Sequence, residues 1–124
     1  MIIDTDMVDS LSINEDERSQ LLLVISDHLE WDNEYGHLLL MQEKLNNYIN
    51  FITNDEYKET FDSEFNSFKI IIYVAYHPPK ELDNFLAKYN KRLKKKVKYK
   101  SIEVVYEFLE GIEDIKKSLE NSDN

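Results

Sequence analysis

Residues 25–53, ISDHLEWDNEYGHLLLMQEKLNNYINFIT, decide how the rest of the chain is read. Ile25 closes the run Leu21-Leu22-Leu23-Val24-Ile25, which is apolar on both faces. A short continuous run of that kind suits a strand with neighbours on both sides and layers above and below. A polar turn holding the only Trp follows. Leu38, Met41, Leu45, Tyr48, Ile49 and Ile52 then recur at steps of three and four, the mark of one buried helical stripe. Glu43, Asn46, Asn47 and Asn50 fall on the opposite side. Asp32 or Asn33 is placed to cap this helix by accepting from backbone N–H groups two or three residues on, and Glu34 complements its N-terminal dipole.

Working outward toward the N-terminus, Met7, Leu11 and Ile13 alternate with polar residues and predict a half-buried strand over about Val8 to Ile13. The polar break Asn14-Glu15-Asp16-Glu17-Arg18 has the length of a hairpin loop, so this strand pairs with the next and lies nearer the sheet edge. Residues 1–6 are expected to fray, as are 120–124. Toward the C-terminus, Asn54 to Asn66 is polar and turn-rich, with Tyr57, Phe61 and Phe65 tucking it onto the core. FKIIIYVAY, Phe68 to Tyr76, is β-branched and aromatic and predicts a central strand. Pro78-Pro79 ends it, and Pro79 suits a first helical turn. Leu82, Phe85, Leu86, Tyr89 and Leu93 make a second amphipathic stripe, with Lys91, Arg92, Lys94, Lys95 and Lys96 crowding the end where the dipole favours cations. Ile102, Val104, Tyr106 and Phe108 alternate as a fourth strand. Val97 and Tyr99 are out of phase with it, which predicts a bend or bulge near Ser101. After Gly111, the spacing of Ile112, Ile115 and Leu119 predicts a short last helix.

The order β-β-α-β-α-β defines an α+β fold in one domain, residues 1–124. Two right-handed crossovers put both main helices on one face of the four-stranded sheet. The other face of Phe68–Tyr76, with Ile71, Tyr73 and Ala75, then needs a cover. Either the C-terminal segment or a second copy of the chain supplies it, and homodimerisation is expected from that surplus of apolar surface.

Composition narrows the function classes. A chain of 124 residues can bury a core without staples. With no Cys there is no disulfide, thiolate metal site or cysteine nucleophile. Two Gly leave no room for a phosphate-cradling loop. The opening MIIDTDMVDS has neither the basic region nor the apolar run of a signal peptide, and no run approaches the ~18 apolar residues of a membrane span. A soluble cytoplasmic protein is expected. The net charge of −10 argues against nucleic acid as a partner. It is also uneven: residues 1–66 carry −13 and residues 67–124 carry +3.

Chemistry-bearing residue types gather in the turn. Asp27, His28, Glu30, Asp32, Glu34 and His37 offer oxygens and imidazoles of the kind that ligate divalent metals. Their spacing matches no HExxH or EF-hand pattern, and Asp27 and His28 point to opposite faces while the backbone is extended. A capped, solvated turn explains them as well, and no metal or other cofactor is assigned. His77 ends the third strand much as His28 ends the second. If those strands are parallel, both imidazoles lie at the carboxyl edge of the sheet near His37, the usual place for sites in sheets with helical crossovers. Trp31 is either a ligand anchor or packing. The basic stretch Lys91 to Lys100 holds Tyr89 and Tyr99, but the dipole of the helix end explains it, and RNA binding is not expected. No GxSxG elbow is present, and no catalytic residue is assigned.

At Ile25–Trp31 and His37–Ile52, ISDHLEW and HLLLMQEKLNNYINFI, the chain resembles a family of small bacterial proteins classed as a domain of unknown function. The resemblance is carried by an aspartate-histidine-leucine-x-tryptophan turn, a histidine-leucine pair and a glutamine-x-lysine-x-asparagine-x-tyrosine helix. These fall here on Asp27, His28, Leu29, Trp31, His37, Leu38, Gln42, Lys44, Asn46 and Tyr48. In layout it extends over about Met7 to Phe108. It implies a bacterial, cytoplasmic single-domain protein and transfers no catalytic or binding role. Such a polar motif exceeds what hydrophobic patterning requires, although Gln42 or Asn46 could cap neighbouring backbone.

The reading favoured by size and charge is a small non-enzymatic interaction module that presents an acidic surface to a protein partner, such as a toxin-neutralising immunity protein facing a basic effector. The alternatives are a metal- or small-ligand-binding protein or enzyme using His28, His37 and His77, and a structural homodimer. The candidate site for a ligand or partner is Asp27, His28, Trp31, Asp32, His37 and His77.

Overall fold

The computed structural model describes residues 1–109. Four strands, β1 (Ser10–Ile13), β2 (Gln20–Asp27), β3 (Ser67–Val74) and β4 (Ser101–Phe108), form one mixed sheet in the order β1-β2-β3-β4. Helix α1 (Glu34–Thr53) connects β2 to β3, and helix α2 (Lys80–Lys96) connects β3 to β4. β1 is antiparallel to β2, whereas β2–β3 and β3–β4 are parallel. The architecture is the α+β arrangement read from the sequence, with β1 at one edge. The expected last helix, and the expected fraying of 120–124, lie outside the described residues. Among the described residues no helix is long and apolar enough to cross a membrane.

Register shows which face the helices cover. Leu21 pairs with Phe68 and Phe68 with Ile102; two residues on, Leu23, Ile70 and Val104 align. These side chains are buried, and with Ile25, Ile72 and Val74 they meet Met41, Leu45, Tyr48 and Ile52 of α1 and Leu82, Leu86 and Leu93 of α2 in one core. The intervening residues Leu22, Val24, Ile71, Tyr73 and Val105 share the opposite face and are only half-buried. Among the described residues a helical layer covers only one side of β2; the cover expected from the C-terminal segment lies outside the described residues. Both crossovers deliver their helices to the same side, so β2 and β3 are fully buried on alternate residues.

Two details depart from the sequence reading and one is refined. β1 begins at Ser10 rather than Val8, and Met7 is exposed. Of the bend or bulge expected near Ser101, the structure has the bend, at Tyr99 and Lys100 in the link before β4, with Val97 as the C-terminal cap of α2. Residues 1–6, expected to fray, are anchored at Ile2, although Ile3, Asp4 and Asp6 are exposed. Ile2 is 0% exposed within the core, and its N–H donates to the Ser26 carbonyl at 2.9 Å, extending backbone pairing beside β2.

That segment is held by Lys44 of α1, which is itself 0% exposed. Its ammonium donates to the carbonyls of Asp4 and Met7 (2.6 Å for the latter) and to the Asp9 carboxylate at 2.9 Å, so all three donors of the buried cation have acceptors. Asn47 donates to the Thr5 carbonyl, and the Tyr48 hydroxyl accepts from the Asp9 N–H and donates to the Val24 carbonyl. Asp9 also receives the amino terminus and the Ser26 N–H.

Candidate functional site

β2 and α1 meet at the turn 28–33. Asn33 is the cap: its side chain accepts from the Gly36 N–H at 3.1 Å, and its carbonyl accepts from the His37 N–H at 2.9 Å. This cap explains Gly36, because a Cβ there would lie 2.7 Å from the Asn33 amide nitrogen. Asp27, the last residue of β2, folds the turn back by accepting from the Leu29 N–H at 3.1 Å, an Asx turn.

The other Asp27 oxygen lies 2.5 Å from His37 Nε2, with both side chains essentially inaccessible. His37 Nδ1 donates to the Glu30 carbonyl at 3.2 Å. Both ring nitrogens therefore face oxygens and each contact holds a hydrogen, which orients the ring completely. Trp31 stacks on that ring, centroids 3.6 Å apart and planes 14° from parallel. Its indole N–H is buried with no acceptor among the described residues. Asp27, His37, Glu30 and Trp31 thus lock the end of β2 to the first turn of α1.

In front of this brace lies an open cleft of ≈ 510 Å³, lined by His28, Leu29, Glu30, Asp32, Asn33, Gly36, His37 and Leu40. Of the residues singled out from the sequence, His28, Asp32 and His37 line it, Asp27 lies behind His37, and Trp31 covers the ring. β2 and β3 are parallel, so His28 and His77 both follow the carboxyl ends of their strands. His77 nevertheless does not line the cleft; it stacks on Phe108, centroids 4.0 Å apart. Among the described residues no three His, Asp or Glu side chains stand together as a metal-ligating group.

The sequence reading missed the polar residues that the fold consumes. Lys44 was one: steps of four, three and four join His37, Met41, Lys44 and Tyr48, which places it on the buried stripe. The sequence leaves Gln42 or Asn46 open as a structural cap; Asn46 is structural, its carbonyl oxygen accepting from the Tyr89 hydroxyl of α2 at 2.9 Å. A second buried lysine, Lys100, donates to Asp55 at 3.1 Å and to the Tyr57 hydroxyl at 3.3 Å, beneath the rings of Tyr57 and Phe68. Burial pushes its ammonium down, but the bonds to Asp55 and Tyr57 outweigh this and hold it above the ordinary lysine value.

Fold and site together define a small α+β protein whose polar motif residues brace the scaffold around an open, acid-rimmed cleft. The chain belongs to a family of unknown function, DUF6572, whose model matches residues 1–110. No curated protein and no solved structure matches it.

Proposed function

We propose that this chain is a non-enzymatic interaction module that presents the outer face of α1 to a basic protein partner. The observation that carries the reading is an apolar pair set among unneutralised acids. Tyr35 and Leu39, one helical turn apart, are 75% and 48% exposed. Around them Glu30, Asp32, Glu34 and Glu43 are exposed, and among the described residues none has a cation partner. The three cations of residues 1–66 are all engaged elsewhere: Arg18 with Glu15, Lys58 with Asp55 and Glu64, and Lys44 in the interior. An exposed aromatic anchor with a charged rim is how interfaces combine affinity with steering. A toxin-neutralising immunity role against a basic effector fits this chemistry. The brace beneath Trp31 supports a binding rather than a catalytic reading, because the His37 side chain, although it borders the cleft, is only 2% exposed.

The test is affinity for the partner captured with the intact chain from the source cell. Tyr35→Ser and the pair Glu34→Lys, Glu43→Lys are each expected to weaken it at least tenfold with unchanged melting temperature, and added salt should weaken the unmodified complex. Binding that ignores both substitutions would sink the reading.

A second reading, a homodimer through the open sheet face, is favoured by Leu22, Val24, Ile71, Tyr73 and Val105 lying together there. Ser10, Ser12 and Ser26 border them. Lys69 sits opposite Glu103, and Glu107 opposite Tyr73 is the one further charge these pairings place on this face. Light scattering that finds only monomer at high concentration removes it.

A further inference from the structure

The α1 and α2 side chains that face each other across the outer part of the helical layer do not form an apolar seam. They line a groove of ≈ 340 Å³, continuous through Gln42, Tyr89 and Arg92 with a smaller recess of ≈ 170 Å³. Its floor is apolar, made by the buried Ile49 and Leu93. One wall carries Gln42, Asn46 and Asn50, and the other carries Lys88, Arg92 and Lys96. Each set repeats every fourth residue, so each forms a ladder on one helix face spanning roughly 12 Å.

Among the described residues the hydrogen-bond donors of these ladders have no acceptor. Asn46 uses its carbonyl oxygen for the Tyr89 hydroxyl, which orients the amide and leaves its NH₂ group to donate. Among the described residues Lys88, Arg92 and Lys96 make no ion pair. Among the described residues no carboxylate lines either part of the groove, in a chain of net charge −10. Like charges four residues apart destabilise a helix, and a guanidinium fork opposite amide donors is suited to tetrahedral oxyanions.

We infer that the α1–α2 groove binds a small organic phosphate, its phosphoryl oxygens held by Arg92, Lys96 and the amides, and its body resting on Ile49 and Leu93. The groove adjoins the acidic stretch of α1 but is built from other side chains, so variants of Arg92 and Lys96 test it without touching Tyr35, Glu34 or Glu43.

Isothermal titration of the full chain at constant ionic strength tests it, with pyrophosphate, ADP and citrate as probes. Pyrophosphate and ADP are expected to bind at one site, ADP the tighter, and citrate markedly more weakly. The exposed-residue variants Arg92→Gln and Lys96→Gln should each weaken ADP about tenfold. Lys80→Gln, at the other end of the same helix, should leave it unchanged. No binding at millimolar probe, or equal weakening by Lys80→Gln, overturns the site. Citrate binding as tightly as ADP overturns the phosphoryl assignment, and ADP no tighter than pyrophosphate overturns the role of the apolar floor.

Discussion

Asp27 and His37 show how a reactive-looking pair becomes structural. A carboxylate 2.5 Å from an imidazole is a common catalytic arrangement, yet here Trp31 covers the ring and its other nitrogen is held by the Glu30 carbonyl. Neither partner is dispensable alone, because truncating one leaves a buried polar group without its bond. Asp27→Leu and His37→Leu should each cost about 2–4 kcal/mol. The double variant should cost less than the two together by about 1–3 kcal/mol, since it strands neither group. Urea titration followed by Trp31 fluorescence measures all three, and strict additivity would show that the pair is not coupled.

Among the elements, β3 carries the clearest consequence of a single helical layer. Ile71 and Ile72 are neighbours in sequence and chemically identical, but Ile72 is fully buried against the helices whereas Ile71 is half-buried on the face that no described helix covers. Ile72→Ala is expected to destabilise the monomer by about 2–5 kcal/mol, and Ile71→Ala by less than about 1.5 kcal/mol. Equal shifts in the urea midpoint at low protein concentration would mean that both faces are covered. Helix α2 also protects the sheet edge: the Asn90 side chain donates to the Val104 carbonyl at 2.9 Å and accepts from its N–H at 2.8 Å, mimicking one more strand residue. Asn90 lies between the buried Leu86 and Leu93 in a pattern that reads as ordinary amphipathic helix, so nothing local announces this pairing.

At the scale of the whole molecule, two buried lysines latch chain segments onto the core and set opposite limits in pH. Burial raises the Asp9 carboxyl, but the bonds from Lys44, the amino terminus and Ser26 outweigh it and hold Asp9 below its ordinary range. A depressed carboxylate stabilises the fold above its unfolded value and loses that contribution as pH falls through its folded value. The stability gap between the native chain and Lys44→Met should therefore be several kcal/mol near neutral pH and narrow below about pH 4. At the other limit the Lys100 ammonium is held high by Asp55 and Tyr57, and burial raises the Tyr48 and Tyr89 hydroxyls. Raised groups stabilise below their unfolded values and lose that contribution as pH rises, so alkaline unfolding should set in from about pH 10. Circular dichroism melts across pH check both limbs; a gap for Lys44→Met that is constant down to pH 2 would contradict the acid one. The element order, the helix α1 and the central place of β3 were legible in the sequence, because periodicities of two and three to four record which side chains must leave water. So was the unusual polarity of the turn and helix, although not its use. Lys44, His37 and Asp27 resemble surface or catalytic residues until their partners arrive from 35, 10 and 10 positions away, and Asn46 meets Tyr89 across 43. Burial of a charge depends on whether acceptors converge on it, and that convergence is a property of the assembled chain. Sequence alone determined which segments would be strands and helices, because their periodicities record which side chains must leave water. Only the tertiary structure decided the strand order and the parallel pairing of β2 with β3, that the polar motif braces the fold, and that the cations left over in α2 line a groove without acids among the described residues.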